Sequence, residues 1–350
     1  MKFLITLLFA CFSLLGLAQD AFPVKIRDFS EKYEALISHN EKDTLIKGRY
    51  EDVVPQYLIQ IFDKASQKVV LEAYTADFPD YLLDENKEAI PNIKELPYGS
   101  QSVLMYEDYN FDGVKDFALM NGNGSCYGGP SFDIYLAKGG GFEYSDAFSA
   151  LSNEYCGMFQ VDEKTKTIYT MTKSGCCWHQ FSEFKVVNNE PKPVKVTEEA
   201  YQGYTNFLEI TEITYNGDEE NRTVTLHFPM EEISSRILLS FELEKNGKRA
   251  ILYETDQELH YAFIQKDESV EFYFPGDAEN TGFVYDRNDR TLMFTNKSAQ
   301  YQVYETDKTV GIKVITNGKN YEMRGVKKTA TGSLNKLGNI EWQNVVYKTK

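Results

Sequence analysis

Oxygen donors recur at a regular spacing in the stretch Asp108-Tyr109-Asn110-Phe111-Asp112-Gly113-Val114-Lys115-Asp116. Asp108, Asn110, Asp112 and Asp116 fall at loop positions 1, 3, 5 and 9, with Gly113 at position 6, where the chain must turn sharply. Hard cations such as Ca2+ seek oxygen ligands in this arrangement, and the backbone carbonyl of Val114 would supply position 7. An EF-hand would place a bidentate glutamate at position 12, which here is Leu119. Residues 102–106 and 117–120 on either side are rich in strand formers, so the spacing predicts a metal loop between two strands. Asp, Asn and Gly are also ordinary turn formers. Four spaced donors together with the glycine favour calcium over a bare turn.

Other chemistry finds less support. His39, His179, His227 and His260 are scattered, without the His-Glu-x-x-His spacing of a zinc hydrolase, and no Gly-x-Ser-x-Gly elbow is present. The glycine-rich residues 121–130 lack the Lys-Ser/Thr of a phosphate loop and lead into strand-like sequence, so phosphate binding is not expected. Carboxylate pairs such as Glu231-Glu232 are expected on the solvated face of so acidic a chain. A chain without catalytic activity is the expectation.

The elements that must position the loop begin after an export signal. Lys2 precedes an apolar run from Phe3 to Leu17, and Gly16-Leu17-Ala18 supplies a small-x-small cleavage pattern. Residues 1–18 read as a signal peptide, with a periplasmic or secreted destination; a lipoprotein anchor at Cys11 is disfavoured because the apolar run continues past it. No later segment is long enough for a membrane span. The chain carries 37 Lys and Arg against 53 Asp and Glu, a net charge of −16. Loss of Lys2 makes this 36 − 53 = −17. Such a surface repels nucleic acid and favours cationic partners.

Four cysteines follow the leader: Cys126, Cys156, Cys176 and Cys177. An even count in an exported chain predicts two disulfides, with three connectivities open. Zinc is disfavoured because Cys176 and Cys177 are adjacent.

Aromatics make up 14% of the residues, which suits pleated half-buried surfaces, and convincing amphipathic helices are scarce. Only residues 146–153 and 197–207 read as locally helical. Strands are predicted at 25–27, 44–50, 56–62, 68–74, 132–137, 167–172 and 180–187. Beyond Glu190-Pro191-Lys192-Pro193, a proline-stiffened boundary, further strands are predicted at 241–244, 249–253, 258–264, 270–274, 283–285, 291–294, 301–304, 311–315 and 321–323. Asn246-Gly247 and Asn317-Gly318 mark hairpins. The expected organisation is all-β: a calcium-bearing region over residues 19–190, then a second antiparallel region, sandwich or barrel, over 194–350.

The Asp-x-Asn-x-Asp-Gly-x-x-Asp-Phe run, followed by Tyr127-Gly128-Gly129-Pro130-Ser131-Phe132-Asp133-Ile134-Tyr135-Leu136, is similar to the FG-GAP/VCBS type of calcium-bearing β-propeller blade. More narrowly, it resembles a family of bacterial exported proteins that includes periplasmic immunity proteins against lysozyme-like toxins delivered by type IV secretion. The resemblance covers about residues 100–187. It implies a propeller-like N-terminal region, structural calcium at Asp108, Asn110, Asp112 and Asp116, and a hydrolase as protein partner. Lysozyme inhibitors commonly insert a Ser-Gly loop into the enzyme's cleft, and Ser174-Gly175 is the candidate here; a disulfide-pinned turn is the competing reading of that dipeptide. A cell-envelope adhesion or glycan-binding module is the alternative function.

Overall fold

The computed structural model describes residues 22–40, 56–76, 78, 80–96, 98–217, 219–228, 235–276, 282–339 and 341–348. The signal sequence with Cys11 and Ala18, the strand expected at 44–50 and the pair Glu231-Glu232 lie outside the described residues. The chain divides into two compact units: residues 1–166 with 186–191, and residues 167–185 with 192–350.

The first unit holds two four-stranded antiparallel sheets. One comprises β1 (Val24–Ile26), β2 (Tyr33–His39), β3 (Tyr57–Asp63) and β4 (Val69–Thr75) in that order. Alternation sets its faces: β2 buries Tyr33, Ala35 and Ile37 and turns the residues between them outward. The other comprises β5 (Leu104–Glu107), β6 (Asp116–Gly122), β7 (Ser131–Lys138) and β8 (Gly141–Ser145).

Helix α1 (Asp146–Asn153) follows β8 directly, as its sequence suggested. Ser145 caps it by accepting the Phe148 N–H, and Asp146 sits in the first turn, where the helix dipole favours an acid. Its serines complete the sheet. The β8 ladder reaches Ile134, and beyond it Ser149 Oγ accepts the Ile134 N–H at 2.9 Å while Ser152 Oγ accepts the Phe132 N–H at 3.0 Å. Buried amides that β8 leaves unpaired thus find partners on the helix. Cys126 and Cys156 form a disulfide across a sequence separation of 30, after which strand β9 (Gln160–Asp162) follows. Closing a loop of that length stabilises a fold by about 3.5 kcal/mol in the chain-entropy picture.

The second unit begins with the hairpin of β10 (Thr167–Ser174) and β11 (Trp178–Val187), the latter as far as Lys185. Strands β12 (Glu190–Tyr201), β13 (Leu208–Asn216) and β14 (Glu219–His227) pair antiparallel in sequence order. The helix expected at 197–207 is therefore a strand up to Tyr201: Thr197-Glu198-Glu199-Ala200 favours a helix locally, but Thr197 to Tyr201 pair with Leu208 to Glu212. Pro191 and Pro193 lie at the start of β12, the part of a strand where proline is tolerated.

A five-stranded sheet follows, built from β15 (Arg236–Glu242), β16 (Arg249–Thr255), β17 (Glu258–Ile264) and β18 (Val270–Phe274) with a later strand on its edge. Next comes a six-stranded sheet of β19 (Phe283–Asp286), β20 (Thr291–Asn296), β21 (Ala299–Glu305), β22 (Val310–Thr316) and β23 (Lys319–Gly325). The chain end returns to both. β24 (Thr331–Gly332) pairs with β15, and β25 (Val345–Lys348) pairs parallel with β19. Gly332 has φ +78 and lies so close to the Leu238 backbone that a Cβ could not be accommodated.

Phe241, Leu252, Tyr261 and Phe274 of the first of these sheets share one core with Phe283, Leu292, Phe294 and Ile312 of the second. Each such side chain contributes about 1.5–3 kcal/mol by leaving water. The five-stranded sheet also buries its other face, where Ile251, Tyr253, Ala262 and Ile264 meet Phe207 and Phe228. That double burial is why β17 is apolar along nearly its whole length and carries a buried histidine, His260. The six-stranded sheet keeps one face open, and Lys313 and Ile315 of β22 are exposed there. No described sheet closes into a barrel.

Candidate metal centre

The loop of residues 108–115 joins β5 to β6, and the ladder pairs Glu107 with Asp116, so the donor-rich stretch is a hairpin between strands. Phe111 and Gly113 hold the turn at φ +60 and +90. A Cβ at Gly113 would meet nothing within 4 Å, so glycine is needed there for its backbone angle alone.

The acidic side chains organise the loop by accepting its amides. Asp108 takes the N–H groups of Asp112 and Gly113 at 3.2 and 2.8 Å. Asp112 takes the Val114 N–H at 2.8 Å, and Asn110 Oδ1 takes the Asp112 N–H at 3.1 Å. Asn110 Nδ2 donates to Asp112 at 3.0 Å and to Asn189 Oδ1 at 2.8 Å. Val114 is exposed at the loop's edge.

Asp116 is different, being fully buried. One carboxylate oxygen accepts the Tyr109 N–H and the other the Ala137 N–H, both at 2.8 Å, so it ties the loop's start to β7. Burial pushes its pKa up to about 6; the two amides pull the other way, and the like charges of Asp112 and Asp108 add to the rise.

The loop lies between two strands, as its flanks suggested, but its donor side chains are not drawn round one point. Among the described residues no group of three or more His, Cys, Asp or Glu side chains is gathered closely enough to hold a metal ion. The donor set nevertheless fits a hard cation in kind. Each carboxylate oxygen keeps a lone pair beyond the amide it accepts, and the negative charges of Asp112 and Asp108 are felt at Asp116. Sequence reasoning missed Ala137 and Asn189. Asn189 had a visible signal: Asn188-Asn189 stands between β11 and β12 with φ of +54 and +64, and paired asparagines favour such a turn.

The disulfides resolve to Cys126–Cys156 and Cys176–Cys177. Ser174 and Gly175 lie at the exposed tip of the β10–β11 hairpin, beside the second of these. His260 is buried with both ring nitrogens unpartnered, stacked on Tyr253 and edge-on to Tyr204, each at 5.2 Å, and burial pushes its pKa down to about 4. No described helix is long and apolar enough to cross a membrane.

No family model matches the chain, and no curated protein matches it. Among solved structures, a Xanthomonas type IV secretion system related protein overlaps 59% of this chain and 94% of its own, at 15% identity and a TM-score of 0.44. TolB from Acinetobacter baumannii overlaps 86% and 65% respectively, at 10% identity and a TM-score of 0.22. A putative 6-phosphogluconolactonase from Bacteroides fragilis overlaps 88% and 97%, at 8% identity and a TM-score of 0.19. None of these overlaps is close enough to establish a shared fold or function.

Proposed function

We propose that this chain is an exported, calcium-stabilised β protein that works by binding a macromolecule and not by catalysis. In its most concrete form the partner is a lysozyme-like peptidoglycan hydrolase, which the chain inhibits. The observation that carries the calcium part is the setting of Asp116, a buried carboxylate gripped by two backbone amides with Asp108 and Asp112 as its charged neighbours. Calcium held by Asp108, Asn110, Asp112, Asp116 and the Val114 carbonyl would supply the missing positive charge and fix the hairpin. A propeller-like arrangement of the sheets belongs to this reading. Two disulfides fit an oxidising, extracytoplasmic setting. The net charge of −16 would steer the chain towards a cationic enzyme cleft, with the exposed Ser174-Gly175 tip as the element that enters it.

Retention of c-, g- or i-type lysozymes or of self-encoded peptidoglycan hydrolases on the immobilised protein, with loss of lytic activity, is the expected result. Absence of both retention and inhibition across that panel would overturn the inhibitor reading. One observation favours the alternative, a glycan-binding module. A cavity of about 550 Å3 on the six-stranded sheet is lined by Thr295, Gln300, Gln302, Lys313 and Lys348 together with Met293 and Ile315. Amide, hydroxyl and ammonium donors among apolar side chains suit a sugar-sized polar ligand. Binding of soluble glycan without hydrolase inhibition would favour that reading.

A further inference from the structure

The two disulfides occupy opposite settings. Cys126–Cys156 spans a sequence separation of 30, and Cys156 is buried. Cys176–Cys177 joins neighbours in sequence at the tip of the β10–β11 hairpin, where Ser174, Gly175, Cys176 and Cys177 are all exposed. A bridge with no residue inside its loop restricts the unfolded chain least, so folding stability gives little reason for it. Nor does the hairpin need it for register. Seven cross-strand pairs, from Ile168↔Phe184 to Ser174↔Trp178, already set the ladder, and Gly175 supplies the left-handed turn at φ +63.

Both cysteines lie at the surface, the setting in which a thiolate can reach a disulfide and exchange is fast. Lys173 and His179 face each other one pair before the end of the ladder, placing the Lys173 ammonium near thiolates that opening would release. The Cys177 carbonyl accepts the Tyr201 N–H at 3.1 Å, so the conformation of the Cys176–Cys177 unit is linked to the end of β12.

We infer that Cys176–Cys177 is a reversible thiol–disulfide exchange site whose reaction partner is a dithiol. One thiolate of the partner attacks a sulfur of the pair, forming a mixed disulfide and expelling the other cysteine as thiolate. The partner's second thiol then attacks its own sulfur in that mixed disulfide and releases the first cysteine. Two electrons and two protons pass from the dithiol to Cys176 and Cys177, and the partner leaves as a disulfide. The opened turn alters the Cys177 contact to Tyr201 while the hairpin stays paired. This inference stands apart from the proposed calcium and hydrolase binding.

The test equilibrates the full-length mature protein in graded mixtures of reduced and oxidised dithiothreitol, traps thiols by alkylation and maps them by mass spectrometry. Half-reduction of Cys176–Cys177 is expected at a reduced-to-oxidised ratio at least tenfold below that needed for Cys126–Cys156. Far-UV circular dichroism should stay unchanged, and oxidised dithiothreitol should close the pair again. Equal ratios for the two bridges, or loss of the β spectrum when Cys176–Cys177 alone opens, would overturn the inference. The Cys176→Ser/Cys177→Ser double variant should melt within about 2 °C of the parent, and a large drop would instead mark the pair as a structural staple.

Discussion

Asp116 in the first unit and Glu305 in the second are both carboxylates that folding has taken out of water, yet their surroundings differ in sign. Glu305 accepts Lys327 Nζ at 2.8 Å, and Ser333 Oγ and the Leu334 N–H at 2.8 Å each. Burial alone would raise its pKa, but these partners outweigh it and hold the carboxyl below its usual value. Asp116 is held by two backbone amides, and the acids Asp112 and Asp108 raise its pKa further. The second unit thus carries its counter-ion in its own sequence. On the calcium proposal, an ion from solution would take that place in the first.

Removing the internal counter-ion should have the largest effect. Lys327→Met leaves Glu305 buried and unpaired, a change that destabilises by about 3 kcal/mol, the low end for such pairs because Lys327 is 33% exposed. Urea denaturation checks it. A loss below about 1 kcal/mol would mean that hydroxyl and amide partners suffice for a buried acid in this chain, which breaks the comparison.

Acid sensitivity of the second unit comes next. His260 is held neutral, with its pKa moved from 6.5 to about 4, so between those values the unfolded chain takes up a proton that the native state refuses. Stability therefore falls as the pH drops from 6.5 to 4, by about 3 kcal/mol for this one group. Glu305, whose pKa is lowered, acts in the same direction below 4.5. Denaturation midpoints across this range should fall, and His260→Phe should flatten the slope above pH 5. An unchanged slope in that variant would remove His260 from the account.

The smallest effect is expected at Asn189. Asn189→Ala removes the acceptor that holds the Asn110 side-chain amide and should destabilise by about 1 kcal/mol. Bound calcium should diminish that loss, because Asn110 would then be held by the ion.

Much of this arrangement was legible in the sequence where the signal is local. Strands β17 and β18 and helix α1 fall where composition placed them, because apolar runs and the Ser145-Asp146 cap are decided within a few residues. The loop was legible for the same reason, since turn geometry needs Asp, Asn and Gly at fixed offsets. What spacing did not show was the charge balance. Glu305 meets Lys327 and Ser333 from 22 and 28 residues away, and Ala137 reaches Asp116 across 21. Residues 197–201 misled because helix propensity and strand pairing compete there, and pairing with β13 prevailed. The adjacent bridge was hidden within three possible connectivities until geometry chose one.

The central claim is best tested by calcium itself. Chelator-treated protein is titrated with Ca2+ and melted, beside Asp112→Ala. At a calcium concentration a hundredfold above its dissociation constant, the wild type should gain about 2.7 kcal/mol of stability, with one ion bound per chain, while Asp112→Ala gains nothing. A wild type that binds no calcium and melts alike in calcium and in chelator would contradict the account.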